Sequence, residues 1–181
     1  MKERFISLLL STGRDGIENL INWLENETDF FTAPASTKYH LSCEGGLLEH
    51  SLNVYTELKK ELKVWTDSAI IVSLLHDICK ANFYKQNTKK QKNKDGIWED
   101  VTYYSVDDLF PLGHGEKSVI ILQKYIKLTD EEIIAIRFHM GGFESKDNYR
   151  YLSDAFNKCS LAVELHIADL KATYFTENEF F

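Results

Sequence analysis

The chain holds only three cysteines and two prolines in 181 residues, and both shortages narrow what it can be. Cys43, Cys79 and Cys159 form no Cys-x-x-Cys pair and no even-numbered framework, so they read as reduced thiols of a cytoplasmic protein. With so few prolines and nine glycines, there is room for long helices. Long apolar runs are missing too. The stretch from Phe5 to Leu10 is too short for a secretion signal, and nothing approaches the roughly 18 apolar residues of a membrane span. The N-terminal residues are therefore expected to form a helix of the fold. Positive charge is also scarce: a net charge of −7 argues against a surface that coats nucleic acid.

The positive charge that exists is concentrated. Residues 85–94 (KQNTKKQKNK) carry five lysines and no acid, which leaves 16 basic against 28 acidic residues elsewhere. Such an arm on an acidic body could guide a phosphate-bearing substrate to a site, with Lys85 at its base as a substrate contact. It could equally be a solvated hairpin whose lysines keep an edge strand from aggregating.

Hydrophobic content of 44% and aromatic content of 13% suit a folded globule, and the length suits one domain over 1–181 with a sizeable core. Most of the pattern is helical. Phe5, Leu8 and Leu9 begin an amphipathic turn, and Ile17, Leu20, Ile21 and Leu24 repeat it at i, i+3, i+4, i+7, so residues 1–34 are read as N-terminal helices. A loop follows over 28–44. Further helices are predicted over 46–60, 66–80, 114–126, 131–139 and 152–175, the fourth with Thr129 and Glu132 in capping-box spacing. Asp95-Gly96 reads as a two-residue turn, so residues 84–105 are predicted to form a hairpin arm. The fold class expected is all-α with one small β excursion.

Along these helices runs a series of residues that could ligate metal: His50, His76-Asp77, His114, His139 and Asp169. A lone histidine on an apolar face is more often a hydrogen-bonded core residue than a ligand. The adjacent His76-Asp77 pair in LLHDICK differs, because burying a carboxylate beside an imidazole is costly without a metal or an ion pair. Imidazole and carboxylate together suit Zn, Fe, Mn, Co or Ni, and six such residues suffice for two ions. On a continuous helix Lys80 shares a face with His76 and Asp77, where it could meet a phosphate or simply favour the helix C-terminus. His166 precedes Asp169 by three residues and could contact substrate or merely pack. His40 lies in the loop before the His50 helix, where residues often face a site. Glu49 points roughly 100° away from His50 and reads as a surface group.

In the order GGLLEHS (Gly45–Ser51), LLHDICK (Leu74–Lys80), GHGEKS (Gly113–Ser118), RFHMGG (Arg137–Gly142) and HIADLKA (His166–Ala172), these segments resemble the HD-domain superfamily of metal-dependent phosphohydrolases. They are most similar to members with two additional histidines between the doublet and the last aspartate. The stretch Tyr39–Tyr55 further resembles the HD part of bacterial and phage proteins related to a 3′→5′ exoribonuclease. The resemblance spans roughly residues 35–175. It implies a helical bundle in which His50, His76, Asp77 and Asp169 hold one divalent transition metal. Asp77 would bridge to a second held by His114 and His139, and Lys80 would contact phosphate. Those relatives carry an extra nucleic-acid-binding domain for which 181 residues leave no room, so processive RNA degradation is not implied.

The expected activity is hydrolysis of a phosphoester by a metal-activated water, with Asp77 and Lys80 as catalytic residues and Lys85, His40 and His166 at the substrate. The substrate would be a small nucleotide or a short single-stranded end. Phe83, Tyr84, Trp98, Tyr103 and Tyr104 beside the arm could stack on a base or pack the arm itself. Two other classes share these residues: a dimetal-iron oxygenase, and a phage or defence protein that binds a nucleotide without turnover.

Overall fold

The computed structural model describes residues 1–177. It is mostly helical with one small antiparallel hairpin. The elements are α1 (Lys2–Ser11), α2 (Ile17–Asn26), α3 (Gly46–Glu61), α4 (Asp67–Leu75), β1 (Tyr84–Lys92), β2 (Trp98–Val106), α5 (His114–Leu122), α6 (Asp130–Phe138), α7 (Tyr149–Lys158) and α8 (Ser160–Lys171). Among the described residues no helix is long and apolar enough to cross a membrane.

The centre of the molecule is α4. Ala69 through Leu75 are all buried, so this helix has no polar face and must be surrounded. It packs against α1, α3, α6 and α8. Thr66 opens it by accepting a hydrogen bond from the Ala69 N–H at 3.2 Å. The outer helices present one apolar stripe each. Phe5 and Leu9 of α1 and Ile17, Leu20 and Leu24 of α2 join Leu47, Leu58, Leu74 and Leu165 in one hydrophobic cluster.

Two helix starts are set by close backbone approach and by capping. Gly46 begins α3 where a Cβ would lie 2.1 Å from the Leu41 carbonyl oxygen, so only glycine lets the loop pass. Thr129 and Glu132 form the capping box read from the sequence. Glu132 has a second role. Its fully buried carboxylate receives the Arg14 guanidinium at 2.5 and 2.9 Å and the Ser68 hydroxyl at 2.8 Å. Burial would raise its pKa, but the bonds from Arg14, Thr129 and Ser68 outweigh that and hold it below the usual range. Arg14→Ala is therefore expected to destabilise the fold by about 3 kcal/mol, because a buried carboxylate loses its partner. Since the folded-state pKa is depressed, this stabilisation is present at neutral pH. It is lost as pH falls below 4.5 and through the folded value. Urea titrations of wild type and Arg14→Ala should converge toward acid; a constant gap would contradict the assignment.

Three predicted helices are shorter than expected. The one over 66–80 ends at Leu75: His76 caps it, Asp77 leaves helical geometry at φ −101°, ψ 17°, and Ile78–Lys80 form one 3-10 turn. The one over 114–126 ends at Leu122. The long helix predicted over 152–175 is two, α7 and α8, separated by Cys159 in an extended conformation (φ −131°, ψ 97°), followed by a π turn at Ala172–Thr176.

The hairpin pairs Tyr84 with Val106 through Lys92 with Trp98. Asp95-Gly96 is not a two-residue turn. Asn93 bonds back to Ile97 (N···O 2.9 Å), Gly96 takes φ 78°, and the loop holds three residues. Three of the five arm lysines engage their own ribbon: Lys90 pairs with Asp100 at 2.9 Å, while Lys92 and Lys89 sit over the rings of Trp98 and Tyr103.

Candidate metal centre

The six residues of the ligand series converge from five helices and the turn after one of them. His50 comes from α3, His76 from the end of α4, and Asp77 from the turn after it. His114 opens α5, His139 caps α6, and Asp169 sits on α8. Asp77 is at the middle. Its Oδ1 lies 2.6 Å from His114 Nε2 and 3.5 Å from His139 Nε2. Its Oδ2 lies 3.6 Å from both His50 Nε2 and His76 Nε2. Asp169 Oδ1 adds a contact to His50 Nε2 at 3.2 Å. Ligand atoms of His50, His76 and Asp77, of His76, His139 and Asp169, and of Asp77, His114 and His139 form three trios, each within 4.8 Å.

The outer face of these rings explains why the inner nitrogens face one another. His76 Nδ1–H donates to the Ser73 carbonyl at 3.0 Å, and His139 Nδ1–H donates to the Ile136 carbonyl at 2.7 Å. Each bond places the proton on Nδ1 and leaves the Nε2 lone pair aimed inward. Among the described residues His139 Nε2 is buried without a hydrogen-bond partner. A buried acceptor left unmade costs about 1–3 kcal/mol, and a cation among Asp77, His114 and His139 would satisfy it. The donor set therefore fits divalent transition metals.

The electrostatics describe the same place. Burial pushes His76 down to about 3, so it is a neutral donor. Burial also opposes charge on His50, but its bonds to Asp169 and Glu177 lift it to about 10. Burial disfavours charge on Asp77 as well, yet Lys80 and the imidazoles hold it well below the carboxylate range.

Lys80 reaches Asp77 Oδ2 at 2.6 Å although the helix has ended, because the 3-10 turn places it three residues on. His166 lines the same cleft. Its Nδ1 donates to the His139 carbonyl at 2.7 Å, and the ring fits because Gly141 has no Cβ, which would come within 2.3 Å of it. His40 also lines the cleft, whereas Lys85 is exposed on β1 and lies outside its lining. Glu49 is half-buried on α3 and is not among the ligand groups.

One residue escaped the sequence reading. The Glu177 carboxylate accepts hydrogen bonds from His40 Nδ1 at 2.5 Å, His50 Nδ1 at 3.0 Å and Asn53 Nδ2 at 3.0 Å. Burial would raise its pKa, but these bonds lower it to about 2. It fixes the ring of His50 as the backbone carbonyls fix those of His76 and His139. Glu177→Gln is expected to weaken metal binding by roughly 10–100-fold with helix content unchanged, as read by competition with a chelating dye. Unaltered affinity would assign Glu177 to packing alone. In Cys79, burial lifts the thiol pKa to about 12, and its Sγ lies 3.2 Å from His114 Nδ1.

No family model matches this chain, and no curated protein or solved structure matches it either.

Proposed function

We propose that the protein is an HD-type, metal-dependent phosphohydrolase that cleaves a phosphoester of a nucleotide or short nucleic acid with water. The observation that carries this reading is the placement of Asp77, with one carboxylate oxygen toward His50 and His76 and the other toward His114 and His139. Two divalent ions held by these residues and Asp169 would supply charge for phosphate oxygens and acidify a water. Paired hard charge suits phosphoryl transfer, where catalysis rests on positioning and electrostatics.

The chain's own groups fill the remaining roles. Burial opposes charge on Lys80, but Asp77 raises its pKa above the ordinary lysine value, so it stays an ammonium. It is a charge donor to a phosphoryl oxygen and not a base. His166, with Nδ1 tied to a backbone carbonyl, presents Nε2 as a hydrogen-bond acceptor for a substrate hydroxyl. Three free thiols, Cys43, Cys79 and Cys159, suit a reducing cytoplasm in this reading.

The test is a phosphate-release screen over mono-, di- and cyclic nucleotides and short oligonucleotides. Release that stops on chelation and returns with added Mn²⁺ is expected. Oxygen uptake with an organic substrate and no phosphate would move the assignment to the oxygenase class.

A further inference from the structure

The cleft beside the ligand cluster encloses about 400 Å³, and its floor and walls differ in chemistry. The floor is Asp77, Asp169, the imidazoles and Lys80. The walls are mostly apolar: Tyr39, Met140, Phe143, Leu170 and Tyr174, with Thr173 among them. Among the described residues Lys80 is the one lysine or arginine in the lining, and it is already paired with Asp77 at 2.6 Å. None of the five arm lysines lines the cleft. Tyr39 and Phe143 are 82% and 64% exposed, large rings left in water at the cleft.

Resting on the phosphohydrolase reading, we propose that this cleft takes a phosphate monoester of nucleoside size, one phosphoryl group joined to a body with a flat apolar face. The charge inventory decides against a polyphosphate. One phosphoryl group meets the ligand cluster and Lys80, but a second or third would face Met140, Leu170 and aromatic rings with no further lysine or arginine in the described lining to balance it. It also decides against a strand. Nucleic-acid grooves track successive phosphates with lysine or arginine, and here those side chains lie on the hairpin instead. The volume sits at the small end of the roughly 300–1,000 Å³ usual for small-molecule pockets, as a single compact ligand requires. A flat ring covering Tyr39 and Phe143 would remove their faces from water, the sequence-tolerant contact that aromatic platforms make with bases.

The test is calorimetric binding to the full chain loaded with Mn²⁺, using AMP, ATP, ribose 5-phosphate, inorganic phosphate and a five-nucleotide deoxyadenosine strand, with phosphate release followed in parallel. AMP is expected to bind roughly tenfold tighter than ribose 5-phosphate, on the scale of one stacked base, and at least as tightly as ATP or the strand. The double variant Tyr39→Ala, Phe143→Ala should remove that preference while leaving inorganic phosphate binding and metal content unchanged. ATP or the strand binding tenfold tighter than AMP would overturn the proposal. AMP binding no tighter than ribose 5-phosphate, or a double variant that keeps the preference, would overturn it equally. The two readings fail separately. Tight AMP binding without phosphate release contradicts the hydrolase and supports the cleft preference, whereas release with ATP favoured does the reverse.

Discussion

Asp77→Ala is expected to empty both metal positions at once. The wild-type chain should carry about two transition-metal equivalents after reconstitution, as a two-ion site requires. Asp77 contributes one oxygen toward each half of the cluster, 2.6 Å from His114 and 3.6 Å from His50 and His76. Removing it leaves His114 and His139 without a carboxylate on one side, and His50, His76 and Asp169 on the other. Two imidazoles alone fall short of the three or four protein ligands that hold zinc-like ions, and the other side keeps only the minimum of three, with Asp169 drawn into its 3.2 Å contact with His50. Elemental analysis should fall to well under one equivalent, with circular dichroism still helical. A variant that kept both metals would show that Asp77 does not join the two halves.

Lys80→Ala should behave in the opposite way. Lys80 touches the cluster through Asp77 Oδ2 but is a cation, so it cannot ligate metal. Its loss should leave metal content nearly unchanged while kcat falls on the order of 10²–10³, the range for removing one donor aimed at developing charge. Because Lys80 also neutralises a buried carboxylate, a parallel unfolding titration separates lost stability from lost turnover. A variant with full activity, or one that loses metal as readily as Asp77→Ala, would contradict the role given to this lysine.

The parts of the fold legible in the sequence were those specified locally. The glycine pair at the start of α3, the Thr129–Glu132 box at the start of α6 and the apolar spacing of α2 each carry their cause within a few residues. Helix ends were harder. No glycine or proline lies between Thr66 and Lys80 or between Leu152 and Phe175, so periodicity alone runs each helix on. The breaks come from tertiary demands. Asp77 turns out of α4 into a ring of imidazoles, and Cys159 is buried with Sγ 3.6 Å from the Glu131 carbonyl. At the site, the inward histidines were visible because each sits in an apolar frame. Glu177 was not, since an acid in the polar segment Thr176–Asn178 reads as solvated. Its partners His40, His50 and Asn53 lie more than 120 residues away. Arg14 and Glu132, 118 residues apart, were hidden for the same reason.

The account stands most directly on where the oxygen in the released phosphate comes from. The metal-loaded protein should be given a mononucleotide in ¹⁸O-enriched water under air, and the phosphate analysed by mass spectrometry. Hydrolysis predicts one ¹⁸O atom in each phosphate released in a single turnover, with no oxygen consumed. Unlabelled phosphate, product oxygen drawn from O₂, or a fully metallated protein that releases no phosphate would contradict it.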